Sequence, residues 1–439
     1  MGMKIVIVSH FYPPLNKVPS QRVYQTAKAF ISEGHEVIVL TTEKLKSDGP
    51  LTYEVGGLNN VELFELKYPS FLNGFLKKAT NPATHECVKE VKRSSSSSGF
   101  LISSLKSLKG KVSSFYDVHE LCVNGLDSFF EKHSNYDVII SSYSPSWSHV
   151  IASKLKMKNN SAYWLADYRD LWTHNHAKSV GYFFRELGLK KEKNIINKAD
   201  SLTTVSEGFK RKLEQIHEKS VTVIYNGFDS DELKSSLAID NLTIDNLFGF
   251  NGELITISYV GTLYFPHQSP IALFKLLQKL KLSNKPLYNK LRINFVGRNN
   301  DRVVDLAHEY EVSDCIKVFS PVSKSESNYI MYKSDFSLLI DWRTLYEGVI
   351  PAKAYEYMNL AKAVLFLGGM QKKKSECYNI LTPSGKVCYL DESSSVDDFF
   401  AVLNKRQTYT TNEECKNYVD SFERKVLANK MVDIVNDKS

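Results

Sequence analysis

The chain of 439 residues has no apolar run of roughly 18 residues, and its start lacks a basic stretch followed by an apolar one. Neither a membrane-spanning helix nor a secretory leader is therefore expected. Cysteine is sparse as well. The six cysteines, Cys87, Cys122, Cys315, Cys377, Cys388 and Cys415, are scattered without C-x-x-C spacing. This excludes the usual zinc and redox frameworks and points to reduced thiols in the cytoplasm. Nor does charge of one sign dominate. The 56 basic and 49 acidic residues give a net charge of +7, spread along the chain rather than gathered in tails. That is too weak to indicate nucleic acid as a partner and is compatible with an anionic ligand or loose contact with an anionic membrane. With 43% apolar and 24% charged residues the composition is that of a globular protein. A single hydrophobic core stops growing at roughly 250–300 residues, so two domains are expected.

Short β-branched runs alternate with helical periodicity. Residues 4–9 read as a strand covered on both faces, the prolines Pro13 and Pro14 force a turn, and helical spacing then runs from about residue 21 to 33 before Gly34 stops it. A strand at 36–41 completes a β-loop-α-β unit, the opening of a doubly wound α/β sheet. Further strands are expected at 61–66, 136–141, 162–166, 201–205 and 221–225. The rhythm restarts at 254–260, 292–296, 316–319, 336–339 and 363–366. The boundaries that follow are 1–227 for the first domain, 228–415 for the second, and 416–439 for a C-terminal helix that can pack back on the first. The Asp-, Asn- and Ser-rich stretch 229–252 reads as the linker. Residues 73–131 break the rhythm as an insertion. Within it Leu101, Ile102, Leu105 and Leu108 recur at helical spacing among lysines, as on a helix lying on lipid headgroups or packed on the domain.

In such folds ligands bind beyond the carboxyl ends of the strands, so the residues after each strand carry the chemistry. After the first strand, Tyr12 and the Ser20-Gln21-Arg22 segment offer an aromatic ring and a guanidinium near a helix start. Residues 167–176 bring together Asp167, Arg169, Asp170, Trp172, His174 and His176. Carboxylates beside an indole suit sugars, whose apolar faces stack while their hydroxyls donate. Gly261-Thr262 and Gly297-Arg298 each follow a strand, the glycine permitting close backbone approach. At 347–358, Pro351 fits a first helical position after Gly348. The helix N-terminus there can receive a phosphate, and Glu356 lies a turn and a half further on, where a carboxylate can accept ribose hydroxyls.

Taken in order, these features resemble the GT-B-fold glycosyltransferases, particularly family 4 and its relatives. The resemblance rests on Phe11-Tyr12-Pro13-Pro14 with Arg22, on Gly34-His35-Glu36-Val37 and on Asp167-Tyr168-Arg169-Asp170-Leu171-Trp172. It continues through Ile224-Tyr225-Asn226-Gly227 and Gly348-Val349-Ile350-Pro351-Ala352-Lys353 with Glu356-Tyr357. It implies two Rossmann-like domains facing a cleft, the first taking the acceptor through Tyr12, Arg22, Asp167, Trp172 and His174. The second would take a UDP- or GDP-sugar through Gly261, Thr262, Arg298, Gly348, Val349, Ile350, Pro351, Lys353 and Glu356. Arg169 and Asp170 fall where related enzymes place a catalytic or sugar-contacting group. Many relatives carry an acidic residue at the position of Gly348, for which Glu347 can substitute, and a cation pair after the first strand of the second domain, which is missing here. The implied reaction is sugar transfer with retention to a glycan or lipid-linked acceptor in surface polysaccharide synthesis. No cofactor beyond the nucleotide sugar, no metal site and no nucleic acid are expected. The implied setting is the cytoplasm, at the inner face of the membrane where contact occurs. A nucleotide-sugar epimerase on the same fold, or an inactive binding partner, are the alternatives.

Overall fold

The computed structural model describes residues 2–53, 61–72, 76, 90, 117–175, 181–237, 241–298, 300–342, 347–360, 362–369, 375–405 and 412–438. The amphipathic stretch 101–108 and His176 lie outside the described residues. Two units emerge. One comprises residues 1–83, 97–226 and 424–439, and the other residues 84–96 and 227–423.

The first unit carries seven strands: β1 (Lys4–Val8), β2 (Glu36–Thr42), β3 (Val61–Leu66), β4 (Val138–Tyr143), β5 (Tyr163–Tyr168), β6 (Ser201–Thr204) and β7 (Val221–Val223). They lie in the order β3-β2-β1-β4-β5-β6-β7, each pair parallel. The second unit repeats the plan with β8 (Ile255–Val260), β9 (Leu291–Val296), β10 (Ile316–Phe319), β11 (Phe336–Ile340), β12 (Ala363–Leu367) and β13 (Val387–Leu390), ordered β10-β9-β8-β11-β12-β13. All residues of β4, β8, β11 and β12 are buried, as continuous apolar runs between helical layers should be. Strand order reverses between β1 and β4 and again between β8 and β11, and the carboxyl ends at each reversal form a ligand crevice in doubly wound sheets.

Several boundaries differ from expectation. The first helix, Val18–Ser32, starts before residue 21 because Pro19 is accommodated in its first turn. β7 ends at Val223 instead of residue 225, since the carbonyls of Ile224 and Tyr225 accept from Arg22 Nη1, each at 3.0 Å. The stretch 229–252, read as the linker, is largely helical. It holds helices Ser230–Leu237 and Leu242–Phe248. Its Asp and Asn residues are the caps: Asp229 Oδ1 accepts from the N–H groups of Asp231 and Glu232, and Asn241 Oδ1 from that of Ile244. Ile244 and Phe248 fall on one buried face, with Phe248 stacked on Phe319 at 4.1 Å. The segment 416–439 is likewise not one helix. Helix Glu413–Asp420 ends before Glu423 pairs with Phe228, and helix Arg424–Asn436 follows. That last helix inserts Leu427, Met431, Val432 and Val435 into the first unit's core beside Ala27 and Phe30.

Candidate functional site

In the second unit the key helix is Ala352–Asn359. Pro351 is its N-cap rather than its first helical residue, with φ −59° and ψ 140°; of the first-turn amides, the Ala354 N–H donates back to the Pro351 carbonyl at 2.9 Å. Gly348 has φ 95°, a left-handed backbone that a side chain disfavours, so glycine here answers a conformational demand. Glu356 projects from the second turn and is only 11% exposed. Its Oε1 accepts from Lys324 Nζ at 2.6 Å and its Oε2 from Lys353 Nζ at 2.6 Å. Burial alone would raise the Glu356 carboxyl. The charges of Lys353 and Lys324 and their hydrogen bonds outweigh it and hold the group far below the usual carboxylate range. Lys353 also donates to Ser327 Oγ, and burial lowers its ammonium despite Glu356. Lys324, not singled out from sequence, opens the helix Lys324–Lys333, whose capping box of Ser323 and Glu326 fixes its first turn.

Beside this helix the loops after β8 and β9 meet backbone to backbone. A Cβ on Gly297 would lie 2.0 Å from the Gly261 carbonyl oxygen, and Gly297 has φ +142°. Thr262 accepts through its carbonyl from Tyr259 Oη at 3.0 Å. Arg298 and Glu347 are exposed, whereas Val349, Ile350 and Pro351 are half-buried. Asp341, directly after β11, was also not singled out from sequence. Burial raises its carboxyl to about 6, against hydrogen bonds from Ser375 and from the Trp342 and Gly369 backbone. An acidic residue immediately following a fully buried strand is the signal that marks it.

In the first unit the expected acceptor residues divide. Arg22 forms a bidentate pair with Asp167, Nε to Oδ2 at 3.1 Å and Nη2 to Oδ1 at 2.8 Å. Asp167 further accepts from Ser142 and Thr203 hydroxyls. Burial would raise the Asp167 carboxyl, and the Arg22 charge overrides it, leaving the group below its ordinary value. The pair is thus committed to bracing helix Val18–Ser32 against β5 and the end of β7. Tyr12 is packed in the core at 8% exposure. Trp172 is buried, stacked on Tyr143 with ring centroids 5.7 Å apart, so its indole face is covered by protein rather than open to a sugar. His174 and Asp170 are half-buried. Arg169 Nε donates to Ser142 Oγ at 2.9 Å and Nη2 to the Ser144 carbonyl at 2.6 Å. Its guanidinium lies 5.0 Å from the Phe11 ring centroid, and burial lowers its pKa to about 10.

A further cluster, His10, Asp48 and His119, has ligand-type atoms all within 4.8 Å of one another. No sequence motif pointed to it, because His119 and Asp48 are 71 positions apart and only the fold brings them together.

No family model and no curated protein matches the chain. Solved structures match along its whole length. A glycosyltransferase from Rickettsia africae is 14% identical, with 99% of this chain and 98% of that one covered and a TM-score of 0.61. Sucrose-phosphate synthase from Thermosynechococcus elongatus is 13% identical over 99% and 98%, with a TM-score of 0.63. HepE from Anabaena, solved in complex with UDP and glucose, is 12% identical over 99% and 100%, with a TM-score of 0.60. The chain has the GT-B fold shared by these glycosyltransferases.

Proposed function

We propose that the chain is a glycosyltransferase whose second unit holds a UDP- or GDP-sugar and whose first unit takes a glycan or lipid-linked acceptor. The observation that carries this reading is Glu356, a buried carboxylate gripped by two lysines beside the N-terminus of helix Ala352–Asn359. Each carboxylate oxygen has a second acceptor site left for a ribose hydroxyl. The helix N–H groups with Lys353 and Lys324 supply positive potential where the leaving diphosphate gains charge, which is where fixed dipoles contribute most. The two lysines thereby take the part of the cation pair missing after β8, and Glu347 and Arg298 complete the donor loop. On the acceptor side Arg169 and Asp170 are the reacting-side groups and His174 a contact, with Arg22 and Asp167 holding them in place. Retention and a role in surface polysaccharide synthesis complete the reading.

No helix among the described residues is long and apolar enough to cross a membrane. Peripheral contact with an anionic membrane at its inner face is supported by helix Tyr182–Ile196. There Tyr182, Phe183 and Phe184 are 72%, 68% and 42% exposed next to Arg185, Lys190 and Lys191.

A thermal-shift screen of nucleotide sugars tests the reading. One UDP- or GDP-sugar should raise Tm with the wild-type chain, and with a mixed acceptor pool it should yield a glycosylated product. Release of an isomerised sugar nucleotide without acceptor would instead identify an epimerase.

A further inference from the structure

The inner and outer contacts of the His10, Asp48 and His119 cluster differ in kind. On the outside, His119 Nδ1 lies 2.7 Å from Asp117 Oδ1 and His10 Nδ1 lies 2.6 Å from Thr42 Oγ1, both short hydrogen bonds. On the inside, both Nε2 atoms face the one carboxylate of Asp48, His119 at 3.3 Å from Oδ1 and His10 at 3.6 Å from Oδ2. The first is at the long end of a hydrogen bond and the second lies beyond one. They match the roughly 3.3 Å edge of a tetrahedron of N and O ligands set about 2.0 Å from a central ion.

Protonation logic sharpens the point. Asp117 as a carboxylate only accepts, so the hydrogen of a neutral His119 ring resides on Nδ1 and the Nε2 lone pair faces another carboxylate. Something positive must sit between Nε2 and Asp48. Without an ion, a hydrogen on the ring nitrogen must fill that place. Asp48 is held in place by the Leu45 N–H, which donates to Oδ2 at 2.7 Å. The side chains of His10, Asp48 and His119 are only 2%, 5% and 15% exposed. Lys44 and Arg169 are the cations that act on His10. The Lys44 ammonium is anchored on Thr41 Oγ1 and the Thr42 carbonyl.

We propose that His10 Nε2, His119 Nε2 and Asp48 bind a divalent first-row transition metal ion of the zinc class. Thr42 and Asp117 orient the two imidazoles from behind, the arrangement that fixes tautomer and ring plane in metal sites. Three protein ligands leave a fourth position for water or an oxygen of a bound molecule. The site is independent of the donor reading, since every residue in it belongs to the first unit.

Calorimetric titration of zinc chloride into chelator-treated full-length chain should give one tight site. His10→Ala with His119→Ala should abolish that site, and Asp117→Asn should weaken it about 10–100-fold, with circular dichroism confirming that each variant folds. The cobalt-substituted wild type, which needs no variant, should show the intense visible bands of a four-coordinate ion. A wild-type chain that binds no zinc, a double variant that binds it equally well, or a six-coordinate cobalt spectrum would each overturn the proposal and leave a proton-bridged network in its place.

Discussion

Replacing Glu356 by Gln separates the ribose contact from the rest of the site. The amide keeps the shape and loses the charge, so each ribose hydroxyl exchanges a charge-assisted hydrogen bond for a neutral one or none. Hydrogen bonds to charged groups contribute roughly 1.5–3 kcal/mol, and a net loss of about 2–3 kcal/mol raises the nucleotide Kd about 30–150-fold. The lysines push the other way: Lys324 and Lys353, both 2.6 Å from the carboxylate, become uncompensated and attract diphosphate more strongly. Pyrophosphate affinity should therefore hold or rise while nucleotide affinity falls. Removing one partner of a fully buried ion pair costs roughly 3–5 kcal/mol. Here the lysine side chains are 27% and 24% exposed, and solvent screening reduces the cost to about 1–2 kcal/mol, a Tm fall of about 2–8 °C. Calorimetry with UDP or GDP and their 2′,3′-dideoxy analogues is the assay. Wild type should discriminate strongly against the dideoxy forms and Glu356→Gln hardly at all. Equal binding of both forms by wild type, or discrimination retained in the variant, refutes the assignment.

Three further outcomes are expected. Gly297→Ala places a Cβ 2.0 Å from the Gly261 carbonyl oxygen at φ +142°; it should cost at least about 2 kcal/mol, seen as a Tm drop in calorimetry, with donor affinity reduced. Asp167→Asn should lower Tm by roughly 6–12 °C at pH 7, from about 3 kcal/mol for a broken buried pair. The Asp167 carboxyl is depressed in the folded chain, so its stabilisation is present above the unfolded value of about 3.9 and is lost as pH falls below it. The Tm gap between variant and wild type should close toward pH 3. Tyr182→Ser with Phe183→Ser, removing two exposed rings, should weaken sedimentation with anionic phospholipid vesicles and leave Tm within a few degrees; unchanged vesicle binding would remove that helix from the membrane reading.

The first sheet and five of the six strands of the second were legible because most are short continuous apolar runs, whereas β13 (Val387–Leu390), a four-residue edge strand, was missed. Each of Gly261 and Gly297 was noticed singly at the end of a strand, but their approach to one another comes only from the fold. Caps were misread: Asp229 and Asn241 look like linker residues in sequence, yet the same short polar side chains start helices. Aromatic residues misled in the opposite direction. Trp172 and Tyr12 suit sugar stacking by type, and only packing reveals that one is covered by Tyr143 and the other sits in the core. The partners Lys324 for Glu356, and His119 with Asp48 for His10, come from distant segments, so no local spacing encodes them.

The most direct measurement is a crystal structure of the chain with UDP or GDP bound. The ribose hydroxyls should lie within hydrogen-bond distance of the Glu356 carboxylate, with the diphosphate at the Gly348–Pro351 end of helix Ala352–Asn359. A nucleotide bound elsewhere, with Glu356 making only its two lysine contacts, would contradict the account.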